Sequence, residues 1–226
     1  MRGDGRIGLA AAVAFAALYL VSGLVVAAPP APDAPAAEIQ RYFVNHADAL
    51  AASAWLIVVA TVPFLVFVAV LRRRLAEAAG WLGDLAFGGG LVLASAAVGT
   101  LMISLGLALH PDFNPPETVR TLVDVQRFFA PLATGAVFAL ALAVALASLR
   151  YGALPAWVGT ASLLYAAYEL LESFTVFGGD TGGFAPGEAV NLVGTLAFLP
   201  WAVAVGVGLA RPYPRGDASE GHRQAD

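Results

Sequence analysis

The chain has no cysteine and no lysine, and only 12% of its 226 residues are charged. Without cysteine there are no disulfide staples, thiolate metal sites or cysteine nucleophiles. Without lysine, arginine carries the basic charge, and the formal net charge of -4 is spread thinly along the connectors. No basic patch forms a nucleic-acid footprint, so nucleic acid is not an expected partner. Gly-rich phosphate loops, nucleophile elbows and zinc-protease motifs are also missing, which speaks against a hydrolase and implies no cofactor. With 59% hydrophobic residues, the chain has too little polar surface to cover a soluble globule of this length. The excess apolar surface is therefore expected to face lipid.

What is present comes in long apolar blocks. Six can be read, at about 7–28, 49–71, 85–109, 128–149, 154–177 and 188–210, each near the ~20 residues that cross a bilayer as a helix. The expected fold is all-α: one polytopic transmembrane helix bundle over residues 1–210, with a polar tail at 211–226 expected to be disordered. The connectors are short: a Pro/Ala-rich stretch before Ile39–Tyr42, the Arg72–Arg74 turn, the His110–Asp124 loop, the Tyr151-Gly152 link and a Gly-rich loop after Phe177. They are read as too short to fold alone.

Arginine sets the orientation, because basic residues near short loops are retained in the cytoplasm. With the N-terminus inside, Arg2, Arg6, Arg72, Arg73, Arg74, Arg150, Arg211, Arg215 and Arg223 are inside, and Arg41, Arg120 and Arg127 outside. The bias predicts both termini cytoplasmic and a multi-pass plasma-membrane location. A rival reading takes the first block as a secretory signal, since Arg2 and Arg6 precede an apolar run ending in Val26-Ala27-Ala28. The run is long for a signal core, and Pro29 stands where the new N-terminus would begin.

Small residues mark where membrane helices approach closely. Ala96, Thr100 and Ser104 recur every four residues in the third block, with Ser95 and Gly99 beside them and Gly88-Gly89-Gly90 near its entry, predicting a central, packed helix. Pro63 and Pro200 fall inside the second and sixth blocks, where a kink is expected. Two helix entries repeat a Trp-x-Gly pattern, Trp81-Leu82-Gly83 and Trp157-Val158-Gly159. They read either as a trace of duplication or as recurring interfacial anchors.

The fifth block carries the chemistry, because Glu169 and Glu172 interrupt an apolar run. At 100° per residue, Tyr165, Glu169 and Glu172 share a narrow arc flanked by Ser162 and Tyr168, opposite Leu163, Leu164, Leu170, Leu171 and Phe174. A polar stripe is thus expected to face protein or water in the outer half of the membrane. An intramembrane carboxylate costs at least ~2.5 kcal/mol on insertion scales, so it is paired, protonated or hydrated. Arg127 is the expected partner of Glu172, leaving Glu169 as the member that holds a proton. The site read from sequence is Glu169, Glu172, Arg127, Tyr165 and Tyr168, for a proton or small ligand. His46 and His110 are the candidate metal ligands beside the two glutamates, but they come from separate helices and no His-x-x-x-His pair occurs.

The order of features resembles a large bacterial family of small integral membrane proteins, a domain-of-unknown-function family. The matching stretches are Arg6-Ile7-Gly8-Leu9, Ile39-Gln40-Arg41-Tyr42-Phe43, and the hairpin from Gly152 to Gly159 leading to Tyr168-Glu169-Leu170-Leu171-Glu172-Ser173-Phe174. The resemblance covers most of residues 6–210 and implies the architecture only. The function expected is a small transport, sensing or partner-binding module in the lipid bilayer, with a proton, small molecule or protein as partner. The alternative is an intramembrane enzyme, possibly metal-dependent, built on the outer histidines and glutamates.

Overall fold

The computed structural model describes residues 2–31, 33–110, 114–179, 182–185 and 188–211. The expected disordered tail, with Arg215, His222 and Arg223, lies outside the described residues. Eight α-helices follow one another: α1 Arg2–Val25, α2 Ala36–Asn45, α3 Ala47–Ala76, α4 Gly80–Leu109, α5 Pro116–Arg127, α6 Phe129–Tyr151, α7 Ala156–Glu172 and α8 Ala189–Ala210. A short 3-10 helix, Ser173–Phe177, continues α7. The fold is all-α, as read from the sequence.

Five helices, α1, α3, α4, α6 and α8, are long and apolar enough to cross a membrane. Their outward surfaces carry exposed Leu20, Leu24, Trp55, Val62, Met102, Leu192 and Val193, side chains suited to lipid. The fifth block differs from the single long span expected. Its α-helix has 17 residues and tightens into the five-residue 3-10 turn after Glu172, where Ser173 Oγ donates back to Leu170 O at 2.6 Å. A side-chain hydroxyl competing for the last carbonyls favours such a tightened end.

The long helices pack in the order α1, α3, α4, α6, α7, α8, and α8 returns to α1. Aromatic rings fill the middle: Phe198 of α8 lies 5.8 Å from Phe15, 6.0 Å from Phe64, 6.3 Å from Tyr165 and 5.4 Å from Trp201 between centroids. The start of α1 and the end of α8 share one end of the bundle, since a Cβ at Gly5 would collide with the backbone carbonyl of Leu209. Asp4 pairs there with Arg73 at 3.1 Å, and Arg74 Nε donates to Ala153 O at 3.0 Å. Gly152, at φ 67°, caps α6, and Ala153 N–H reaches back to Ala147 O at 3.0 Å, the hydrogen bond of a helix ended by a left-handed residue.

At the opposite end the connectors are not structureless. Pro35 and Pro115, both in extended conformation, start α2 and α5. The two helices pack together through Ile39, Tyr42, Phe43 and Val119 on Leu107 and Ala108 of α4. Gln40 Nε2 donates to Asn114 O at 2.9 Å and Arg120 Nη1 to Ala34 O at 2.7 Å, tying each helix to the other's connector. Tyr42 donates to Ala27 O at 2.8 Å, and burial holds its hydroxyl above the usual tyrosine range, so it remains a donor.

The packed face of α4 is not the one expected. Ala96, Thr100 and Ser104 are only partly buried, and their half of the helix is more open than its start. Close approach occurs earlier, at Gly89 and Gly90: a Cβ at Gly89 would lie 2.5 Å from Ala136 O of α6, and one at Gly90 2.7 Å from Val68 of α3. Of the hydroxyls on the expected face, Thr100 bonds back to Ala96 O of its own helix, and Ser104 accepts from Gln126 Nε2 of α5 at 2.8 Å. Pro63 and Pro200 lie inside continuous helices. The two Trp-x-Gly entries behave alike: Trp81 and Trp157 are exposed, Leu82 and Val158 are buried, and Gly83 and Gly159 each sit against the end of the preceding helix.

This packing gives an internally controlled prediction. Gly89→Ala should destabilise the protein by about 1–3 kcal/mol, because the new methyl meets helix backbone that cannot swing aside. Gly88→Ala, with nothing within 4 Å, should be neutral or stabilising by up to ~1 kcal/mol from helix propensity alone. Unfolding in mixed detergent micelles checks both.

Candidate functional site

The polar stripe of α7 faces inward. Val158, Gly159, Ser162, Tyr165, Ala166, Glu169 and Glu172 are buried, while Leu163, Leu164, Leu170, Leu171 and Phe174 are exposed. The 3.6-residue period alone produces this division, since each buried residue follows another by three or four positions.

A seam of hydrogen bonds joins this face to α8. Trp201 Nε1 donates to Ser162 Oγ at 3.0 Å, Tyr165 to Gly194 O at 3.1 Å, and Tyr168 to Val190 O at 2.7 Å. Asn191 Nδ2 donates to Glu172 Oε1 at 2.8 Å and reaches Thr175 Oγ1 at 3.4 Å. As the α7 partners rise from Ser162 to Glu172, the α8 partners fall from Trp201 to Val190, so the two helices meet along a polar line. Replacing Trp201 by Phe should cost about 1–2 kcal/mol by stranding the buried Ser162 hydroxyl, measured against the parent in the same micelles.

Two carboxyls one turn apart lie within this seam, 3% and 4% exposed for Glu169 and Glu172. Tyr165 lies one turn before Glu169 on the same buried face of α7. Glu172 Oε1 takes the Asn191 amide, but Oε2 is buried and has no hydrogen-bond partner. Among the described residues it is the one buried side-chain polar atom in that state. The carboxyl fits there because Gly194 has no side chain: a Cβ at that position would collide with Glu172 Oε2 and lie 3.1 Å from Tyr168 Cε1.

Arg127 is placed differently from the sequence expectation. It ends α5 and lies 3.4 Å from Asp124 Oδ1, a carboxylate one turn back on its own helix. The ion pairs among the described residues join no arginine to Glu169 or Glu172. A neighbour three residues away on the same helix is a far shorter reach than a carboxylate on another element. The candidate metal set is likewise not assembled. His46 caps α2, with Nδ1 2.9 Å from Tyr42 O and its ring 4.7 Å from the Tyr42 ring. No three of His, Asp and Glu among the described residues are grouped to hold a metal.

The structure brings Tyr165, Tyr168, Glu169 and Glu172 against Asn191 and Gly194 of α8, two residues that the sequence reading did not name. Asn191 carried a signal, as the one amide inside the sixth apolar block. Gly194 carried none, being one glycine among 24. Comparison with protein-family models, with curated proteins and with solved structures finds no match.

Proposed function

We propose that this chain is a six-span plasma-membrane protein with both termini cytoplasmic, whose α7–α8 seam binds a proton in the outer half of the membrane. Its role on this reading is small-module sensing or transport rather than catalysis. The sixth span is α7 with its 3-10 extension. Seventeen residues at ~1.5 Å and five at ~2.0 Å amount to about 35 Å, enough for the hydrocarbon core. The shared end of α1 and α8 also collects Arg6, Arg72, Arg73, Arg74, Arg150 and Arg211, while Arg41, Arg120 and Arg127 lie towards the α2–α5 end. The positive-inside rule then puts the termini in the cytoplasm. A C-terminal alkaline phosphatase fusion should be inactive, and an active one would reverse the orientation.

The observation that carries the proton reading is the orphaned Oε2 of Glu172 beside a second buried carboxyl. Two negative charges one turn apart in a dry seam repel, and the described ion pairs give neither a cation. An unpartnered neutral hydroxyl costs about 1–3 kcal/mol, whereas an unpaired buried charge costs several. The neutral form wins, and the pair shares at least one proton.

Trp201 offers the readout, because its ring lies 5.4 Å from that of Tyr165, tilted against it, and it donates into the same seam. Its emission in liposomes should change with pH, and the change should vanish when Glu169 and Glu172 are both replaced by Gln. A flat profile in the parent, or one that survives the double replacement, would remove the sensing role.

A further inference from the structure

The reading of the pair as a proton site leaves open which carboxyl holds the proton, and the seam distinguishes them. Glu172 accepts one hydrogen bond on Oε1 and none on Oε2. That is the pattern of a neutral acid, with Oε1 as its carbonyl and Oε2 as its hydroxyl. Glu169 has no oxygen that is both buried and unpartnered, and the Tyr165 hydroxyl beside it gives its one proton to Gly194 O. Glu172 Oε2 lies against the backbone of Gly194, in the place that a Cβ there would take.

We infer that the proton of the pair resides on Oε2 of Glu172, in a site built by two residues of α8: Asn191, which holds Oε1, and Gly194, which encloses Oε2. This assignment rests on the reading above and reverses the one made from sequence, where an Arg127 bridge would have kept Glu172 charged. The bridge is absent and the argument for Glu169 goes with it.

Among the described residues, few other titratable groups lie near the site. Glu169, Tyr165 and Tyr168 face it from α7, and Thr175 and Asn191 complete it. Between Ala189 and Ala210, α8 carries no titratable side chain, and α6, which packs on α7 and the 3-10 turn, has none before Arg150.

Infrared spectroscopy of the protein in lipid tests this, using the carboxylic-acid carbonyl band that shifts in deuterated water. At neutral pH the parent and Glu169→Gln should show the band, and Glu172→Gln should lack it. Asn191→Leu should keep the band but move it to higher frequency, because Oε1 loses its donor. A band lost in Glu169→Gln and kept in Glu172→Gln would overturn the assignment to Glu172 while leaving the proton site intact. A parent with no such band would overturn the proton site itself. A band unmoved in Asn191→Leu would place the proton away from Glu172 even if one glutamine variant failed to fold.

Discussion

Gly194→Ala should destabilise the protein by about 3 kcal/mol, at the upper end of overpacking costs, although alanine is the better helix former by ~1 kcal/mol. The added methyl would fall on Glu172 Oε2, 2.8 Å from Cδ and 3.1 Å from Tyr168 Cε1. A free carboxyl would swing away, but this one is buried and held through Oε1 by Asn191. The cost should therefore be carried by one contact. Combining Gly194→Ala with Glu172→Ala should recover much of the loss, giving a coupling energy of about 1–3 kcal/mol in a double-mutant cycle. Additive effects would mean that α7 and α8 do not meet where these residues do.

Phe198→Ala should be costlier still, about 3–5 kcal/mol, the range for deleting a buried aromatic side chain. Phe198 is where four helices meet, touching Phe15 of α1, Phe64 of α3, Tyr165 of α7 and its own neighbour Trp201. Lipid does not drive helices together as water would, so packing of this kind supplies much of the cohesion. The loss should also loosen Trp201 and quench the pH response of its emission, linking the core to the polar seam above it. Unfolding in mixed micelles measures the first effect and tryptophan emission the second; a variant equal to the parent in both would show that the aromatic cluster is not a structural centre.

Sequence revealed the long helices because an uninterrupted apolar block has little other use, and block limits agreed with helix limits to within a few residues at α1, α6 and α8. The inward turn of Glu169 and Glu172 was legible for a related reason: helical periodicity fixes which side chains share a face. Two failures have physical causes. The amphipathic helices α2 and α5 are too short and too polar to form apolar blocks, and the signal for α2 lies instead in Ile39, Tyr42 and Phe43, spaced three and four apart. In α4 the glycines at 89 and 90, not the Ala96–Ser104 series, make the contacts, because a hydroxyl that bonds its own helix can stand at a half-open surface. The Glu172 environment was beyond reach, since Asn191 and Gly194 come from a helix whose rotation about its axis no local pattern sets. Arg127 was assigned to the wrong carboxylate for the same reason: topological depth said it was near, while Asp124 was nearer along its own helix.

The account turns on a neutral carboxylic acid inside the bundle, and solid-state NMR of the protein labelled with carboxyl-13C glutamate in bilayers observes that directly. At neutral pH one glutamate resonance should lie in the protonated carboxylic-acid range, apart from the carboxylate signals. A spectrum in which every glutamate is ionised at neutral pH would contradict the account.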